Sequence, residues 1–159
     1  MQSFIKLLYA LLVAAAVVVF AGLAIYSFYQ PPKSPSYPSG NYSYGTAAYN
    51  RQQDDYNNAL DQHNRDEKVY YRNVTYLLLP AAVLPALVGL YLMRRRSEAI
   101  GEGLALGGVA ITIYAITMAS LADSRPLRFV AATFFLIIVL LVAHFRFSAK
   151  STKPKFPLI

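Results

Sequence analysis

The sequence contains no cysteine. This absence excludes disulfide bonds, thiol redox chemistry, iron–sulfur ligation by cysteine and lipoprotein acylation. It also weighs against the four-span proteins whose outer loops carry disulfides, namely the tetraspanins and the animal junction and large-pore channels. A chain of this kind without disulfides favours a prokaryotic plasma membrane as its location.

Charged residues are also scarce, at 14% of the chain, whereas hydrophobic residues make up 56%. The apolar residues are gathered in four blocks, each long enough to cross a hydrocarbon core of about 30 Å. A soluble domain is therefore excluded, and the sequence predicts an all-α integral membrane four-helix bundle. The formal charge of +7 sits mostly in short clusters at the ends of the blocks. Such clusters are typical of topology signals and lipid contact, so no nucleic acid partner is expected.

The predicted organisation consists of consecutive membrane and loop segments. Residues 1–29 are the first transmembrane helix, and residues 30–68 are a Tyr-rich extracytoplasmic loop with a linker (30–45) and a helical extension (46–68). The remaining segments are a three-span bundle over 69–147, with spans at about 74–93, 100–122 and 127–147, and a basic cytoplasmic tail over 148–159. A cleaved signal peptide ending near Gly22, Leu23 and Ala24 is the alternative for the first block.

Small residues form a stripe along the third span. They step by three and four positions, which places them on one side of an α-helix. Gly103 and Gly107 add a second small pair beside the stripe, and the first span carries a similar stripe. In lipid, close approach of backbones over small residues is a main source of helix association. We therefore expect the third span to lie at the centre and to pair with the first through the two stripes. The predicted packing positions are Ala10, Ala14, Ala21, Ala24, Gly101, Ala105, Gly108, Thr112, Ala115 and Ala119.

The second span is predicted to continue outward as a polar helix that begins near Thr46, because neither Gly nor Pro occurs between Thr46 and Pro80. Along this extension, seven residues lie at heptad-like steps that lead into the second span: Tyr49, Tyr56, Leu60, His63, Glu67, Tyr70 and Val74. Pro80 and Pro85 each remove one backbone hydrogen bond, so kinks are predicted there. Such kinks can act as hinges in a transporter. They can also be static bends that improve packing, and static bends are commoner.

Basic residues are densest beside the membrane at the turn before the third span and after the fourth span. The positive-inside rule places these segments, and with them both termini, in the cytoplasm. The candidate lipid-headgroup residues are Arg94, Arg95, Arg96, Arg146 and Lys150.

Ionisable groups inside the spans, which usually mark transport or catalysis, are almost absent. Glu102 is read as an ion-pair partner of the neighbouring arginines, with a proton or cation site as the alternative. His63 and His144 lie on opposite sides of the membrane, which excludes a haem held by both. No Ser-His-Asp spacing, phosphate-binding glycine loop or paired membrane carboxylates occur. We therefore predict no catalytic residue, no cofactor and no metal site.

Tyrosines are concentrated in the outer loop. Tyrosine is favoured at protein interfaces and can stack on sugars, although a low-complexity spacer is an equal alternative. The candidate partner contacts are Tyr37, Tyr42, Tyr44, Tyr49 and Tyr56.

Two functions compete on this sequence. The first is a non-enzymatic scaffold or accessory subunit that binds partner proteins through the small-residue stripes and the Tyr-rich outer segment. The alternative is an oligomeric small channel or transporter, motivated by the two prolines, Glu102 and Thr112. The spans offer few polar groups for a path through the membrane, which favours the scaffold, and an intramembrane enzyme comes third. The expected partners are membrane lipid and either another membrane protein or further copies of this chain.

Overall fold

The computed structural model describes residues 2–37, 45–95 and 98–151, with the backbone alone described at residues 2, 3, 95 and 146–151. These ranges form four α-helices that pack together. The helices are α1 (Gln2–Phe28), α2 (Ala47–Arg95), α3 (Glu98–Leu121) and α4 (Arg125–Ser151). Each described helix contains a segment long and apolar enough to cross a membrane. The predicted all-α four-helix architecture of a multi-pass membrane protein is therefore confirmed.

The second helix is 49 residues long. At 1.5 Å per residue it extends about 73 Å, more than twice the thickness of a bilayer core. The Thr46 hydroxyl accepts a hydrogen bond of 3.3 Å from the Tyr49 N–H, which is the geometry of an N-cap. The helix continues through Pro80 and Pro85. The expected polar extension beginning near Thr46 is confirmed.

Helix α3 lies at the centre of the bundle. It contacts α1, α2 and α4, whereas α1 contacts α2 only slightly, and no α1–α4 contact is found within the described ranges. The buried positions of α3 are mostly small: Gly101, Gly103, Ala105, Gly107, Gly108, Ile111, Thr112, Ala115 and Ala119. Small side chains on more than one face allow three neighbours to approach the same helix closely.

The main small-residue stripe of α3 packs against α2, not against α1. A Cβ atom added to Gly89 of α2 would lie 2.6 Å from the Gly101 carbonyl oxygen and 2.6 Å from the Ala105 nitrogen. A Cβ added to Gly108 would lie 2.6 Å from the Ala82 carbonyl oxygen. The two backbones are thus in direct contact, which favours Cα–H···O interactions between them.

The first helix packs on the second small pair of α3. A Cβ added to Gly103 would lie 2.7 Å from the Ala10 carbonyl oxygen, and one added to Gly107 would lie 3.5 Å from the Ala14 Cα. The expected α1–α3 contact exists, but α3 uses Gly103 and Gly107 for it. The reason is that the larger stripe is already covered by α2. In α1, Ala10 and Ala14 are buried, while the packing candidates nearer its C-terminal end, Ala21 and Ala24, are half-buried.

An ion pair and a cation–π contact join the helix ends. Lys6 of α1 lies 3.6 Å from Glu98 of α3, and the Arg94 guanidinium lies 4.5 Å from the centre of the Phe145 ring. Such exposed contacts contribute little individually, about 0–1 kcal/mol. Among the other candidate headgroup residues, Arg96 and the side chains of Arg95, Arg146 and Lys150 lie outside the described residues.

Replacing Gly89 by Ala is expected to destabilise the bundle by about 1–3 kcal/mol, because the added methyl group would force the backbones of α2 and α3 apart. The measurement is the midpoint of thermal unfolding in detergent. Gly22→Ala in α1 is the matched control, since nothing lies within 4 Å of a Cβ at that position. Equal melting midpoints for the two variants would contradict the close α2–α3 contact.

Candidate partner-binding surface

An extended segment after α1 lies along the polar half of α2. We call residues 30–37 the strap. Tyr29, just before it, contacts Tyr70, the strap residue Ser34 lies beside His63, and Tyr37 at its end contacts Tyr56. Along these contacts the residue numbers rise in the strap and fall in the helix, so the strap runs antiparallel to α2. Eight extended residues span about 25 Å, which matches the distance of about 21 Å between positions 70 and 56 of the helix.

The start of the strap is anchored by a cluster of aromatic rings. The Tyr29 and Tyr70 rings stack with their centres 5.2 Å apart and an angle of 11° between their planes. The Asn73 amide donates a hydrogen bond of 2.7 Å to the Tyr29 hydroxyl. The Tyr70 hydroxyl donates one of 3.4 Å to the Tyr29 carbonyl. These contacts fix the point at which the chain leaves α1 and turns along α2.

His63 is a largely enclosed polar side chain beside the strap, with 10% of its side chain exposed. Its Nε2 atom lies 3.5 Å from the Ser34 Oγ and 3.6 Å from the Glu67 Oε1. Its Nδ1 atom is buried without a hydrogen-bond partner among the described residues. No group of three or more potential metal ligands is found in the described part of the chain, and the contacts of His63 join the strap to the helix.

The far end of the strap presents an exposed but oriented aromatic ring. Tyr37 is 64% exposed. Its ring meets the Tyr56 ring edge-on, with 5.0 Å between the centres. Its hydroxyl donates a hydrogen bond of 3.4 Å to the Gln53 Oε1. The ring therefore has a defined position while much of its surface faces outward.

The structure brings two of the five tyrosine candidates, Tyr37 and Tyr56, into contact. Tyr49 is half-buried on the same side of α2, and Tyr42 and Tyr44 lie outside the described residues. The described part of the linker, residues 30–37, lies along the helix while most of its residues stay exposed; Pro32 and Pro35 are half-buried. The heptad-like stripe from Tyr49 to Val74 is the side of α2 that the strap follows. That stripe was the available signal, because four of its seven residues are Tyr or Leu in a part of the helix that is otherwise mostly polar.

The polar neighbours that hold the strap were not predicted from the sequence. They are Tyr29, Ser34, Gln53 and Asn73. Single polar residues of these types are common in loops and helices, so nothing in their spacing distinguishes them from solvated ones. Their partners lie 16 to 44 positions away in the chain.

Searches of protein-family models, curated proteins and solved structures gave no match to this chain.

A short cross-linker should join cysteines placed at Ser34 and His63, because the side chains of these residues lie 3.5 Å apart. The chain has no native cysteine to compete. A second pair, Ser34→Cys with Asn58→Cys, is the control, since position 58 is exposed and lies about 140° around the helix from position 63. The measurement is the electrophoretic shift after thiol cross-linking. Equal yields for both pairs would show that the strap does not lie on this side of α2.

The Tyr29–Asn73 hydrogen bond should contribute about 0.5–1.5 kcal/mol to stability. Tyr29→Phe removes the hydroxyl but keeps the ring stacked on Tyr70, and Asn73→Ala removes the donor. A double-mutant cycle on the free energy of unfolding in mixed micelles isolates the interaction. A coupling energy of zero would mean that the two groups act independently.

Proposed function

We propose that this chain is a non-enzymatic membrane scaffold or accessory subunit that binds another membrane protein, or further copies of itself, through the strap and the polar half of α2. The observation that carries the proposal is the position of Tyr37. Exposed aromatic rings that are held in place bind partners well, because little conformational entropy is lost on binding. Tyrosine is also enriched among the residues that dominate interface energetics.

The length of the polar half of α2 supports the same conclusion. Residues 47–68 extend about 33 Å beyond the membrane-spanning part. Helices in proteins owe most of their stability to packing rather than to intrinsic propensity, and two strap residues, Ser34 and Tyr37, contact this part of α2. The two segments together offer a supported elongated surface to a partner.

Two roles were expected for the small-residue stripes, packing within the chain and partner binding, and burial favours the first. Ala10, Ala14, Ala105 and Ala115 are all buried inside the chain, so packing against the chain's own helices occupies them. Binding of a partner through these stripes would require the bundle to separate. The proposed contact is therefore confined to the strap and the polar half of α2.

Buried polar groups in the spans give little support to the alternative of a small channel or transporter. Among the described residues, the buried polar side chains are Thr75 and Thr112. The Thr75 hydroxyl donates to the Tyr71 carbonyl at 2.8 Å, and the Thr112 hydroxyl donates to the Gly108 carbonyl at 2.9 Å. Because both hydroxyls are satisfied within their own helices, neither supplies a polar path through one copy of the bundle.

A photo-reactive benzoyl-phenylalanine at position 37 tests the proposal in intact cells. We expect it to cross-link to one protein chain, either a distinct partner or a second copy, and the same chain should co-purify with the unmodified protein in mild detergent. Position 58 is the matched control, because Asn58 is exposed on the side of α2 away from the strap. The cross-linked product is identified by mass spectrometry.

Equal cross-linking from positions 37 and 58, or cross-linking to lipid alone, would contradict a specific surface at the strap. Ion or solute flux through liposomes containing only this protein, unaffected by Tyr37→Ala, would favour the channel instead.

A further inference from the structure

A long apolar groove separates α1 from α2. One wall of the groove is formed by residues of α1 and the following Tyr29, beginning at Val13. The opposite wall belongs to α2 and includes Ala81 and Pro85, and Ile111 of α3 lies between the two walls. The groove has a volume of about 740 Å³. It exists because α1 is attached to α3 and contacts α2 only slightly.

The groove is continuous with the lipid-facing surface of the spans. Phe20 on its α1 wall is 75% exposed and Leu84 on its α2 wall is 65% exposed. In a bilayer, residues exposed at this depth contact lipid chains. The groove therefore opens sideways into hydrocarbon, and any occupant can enter from the membrane.

The size of the groove is that of a small-molecule site. Its volume of about 740 Å³ falls within the range of about 300–1,000 Å³ found for such sites. An occupant of this size is a small apolar molecule or a hydrocarbon chain.

The chemistry of the groove changes at one end. Its walls along the span are built from aliphatic and phenylalanine side chains, with Tyr29 at the strap end. There the hydrogen bonds of Tyr29 with Asn73 and Tyr70 place polar groups at the edge of the span. An amphipathic molecule with a long hydrocarbon chain matches this sequence of environments.

We propose that the groove between α1 and α2 binds one membrane phospholipid, with a hydrocarbon chain lying between Ala24 and Ala81 and the polar part of the lipid near Tyr29. The site adjoins the proposed partner surface only at Tyr29, which lines the groove and anchors the strap through Asn73. The groove would hold this lipid in place as part of the bundle. The methylene groups of the lipid would supply the van der Waals contacts that α1 and α2 do not make with each other.

The test uses the full chain reconstituted in dioleoyl phosphatidylcholine, extracted into mild detergent and weighed by native mass spectrometry. We expect one retained phosphatidylcholine per chain. Ala24→Phe and Ala81→Phe, one on each wall, should each lower the retained fraction about tenfold or more, because a phenyl ring displaces at least two methylene groups of the chain. Ala132→Phe is the matched control, since Ala132 is an exposed position of α4 outside the groove.

Reconstitution of the unaltered protein with dihexanoyl phosphatidylcholine adds a test that needs no variant. The headgroup is the same but the chains are short, so retention should be lost if the groove binds the hydrocarbon chain. Helix content by circular dichroism confirms that each variant is folded. Absence of retained lipid on the unaltered protein, equal retention of both lipids, a dimer in place of the lipid adduct, or unchanged retention in a folded groove variant would each overturn the proposal.

Discussion

Direct contact between the backbones of α2 and α3 is the constraint on which the rest of the structure depends. Gly89 and Gly101 approach each other so closely that a Cβ on either one would meet the carbonyl oxygen of the other at 2.6–2.7 Å. Water does not drive helices together inside lipid, so association there depends on the number of close contacts that two surfaces can form. Glycine at the crossing maximises these contacts, and Gly108 repeats the arrangement against Ala82 further along the interface.

The position of α1 follows from this pairing. Once α2 covers the main stripe of α3, the remaining small surface at Gly103 and Gly107 accepts α1. Helix α1 therefore packs mainly on α3 and contacts α2 only slightly, which leaves the groove between α1 and α2. The same geometry brings the end of α1 beside Tyr70 of α2. The strap consequently starts where it can follow the long helix.

The two proposals use different parts of this arrangement. Partner binding uses the strap and the polar half of α2, where Tyr37 is held by Tyr56 and Gln53. Lipid binding uses the apolar groove within the spans, which ends at Tyr29. Tyr29 belongs to both regions, because it closes one end of the groove and anchors the strap through Asn73. A lipid near Tyr29 would therefore lie beside the base of the partner surface.

The number of spans, the start of the long helix and the central place of α3 can all be predicted from the chain alone. Apolar length, the Thr46 cap and the spacing of small residues are local properties, and each depends on residues close together in the chain. Which small face of α3 meets which helix depends on the tertiary packing, because Gly101 and Gly103 are equally suited to close packing. The tertiary packing also decides that the strap lies on α2, since the contacts of Tyr29 with Asn73 and of Ser34 with His63 join residues 44 and 29 positions apart. Such contacts depend on how the bundle orients the end of α1, and no local pattern in the chain encodes that direction.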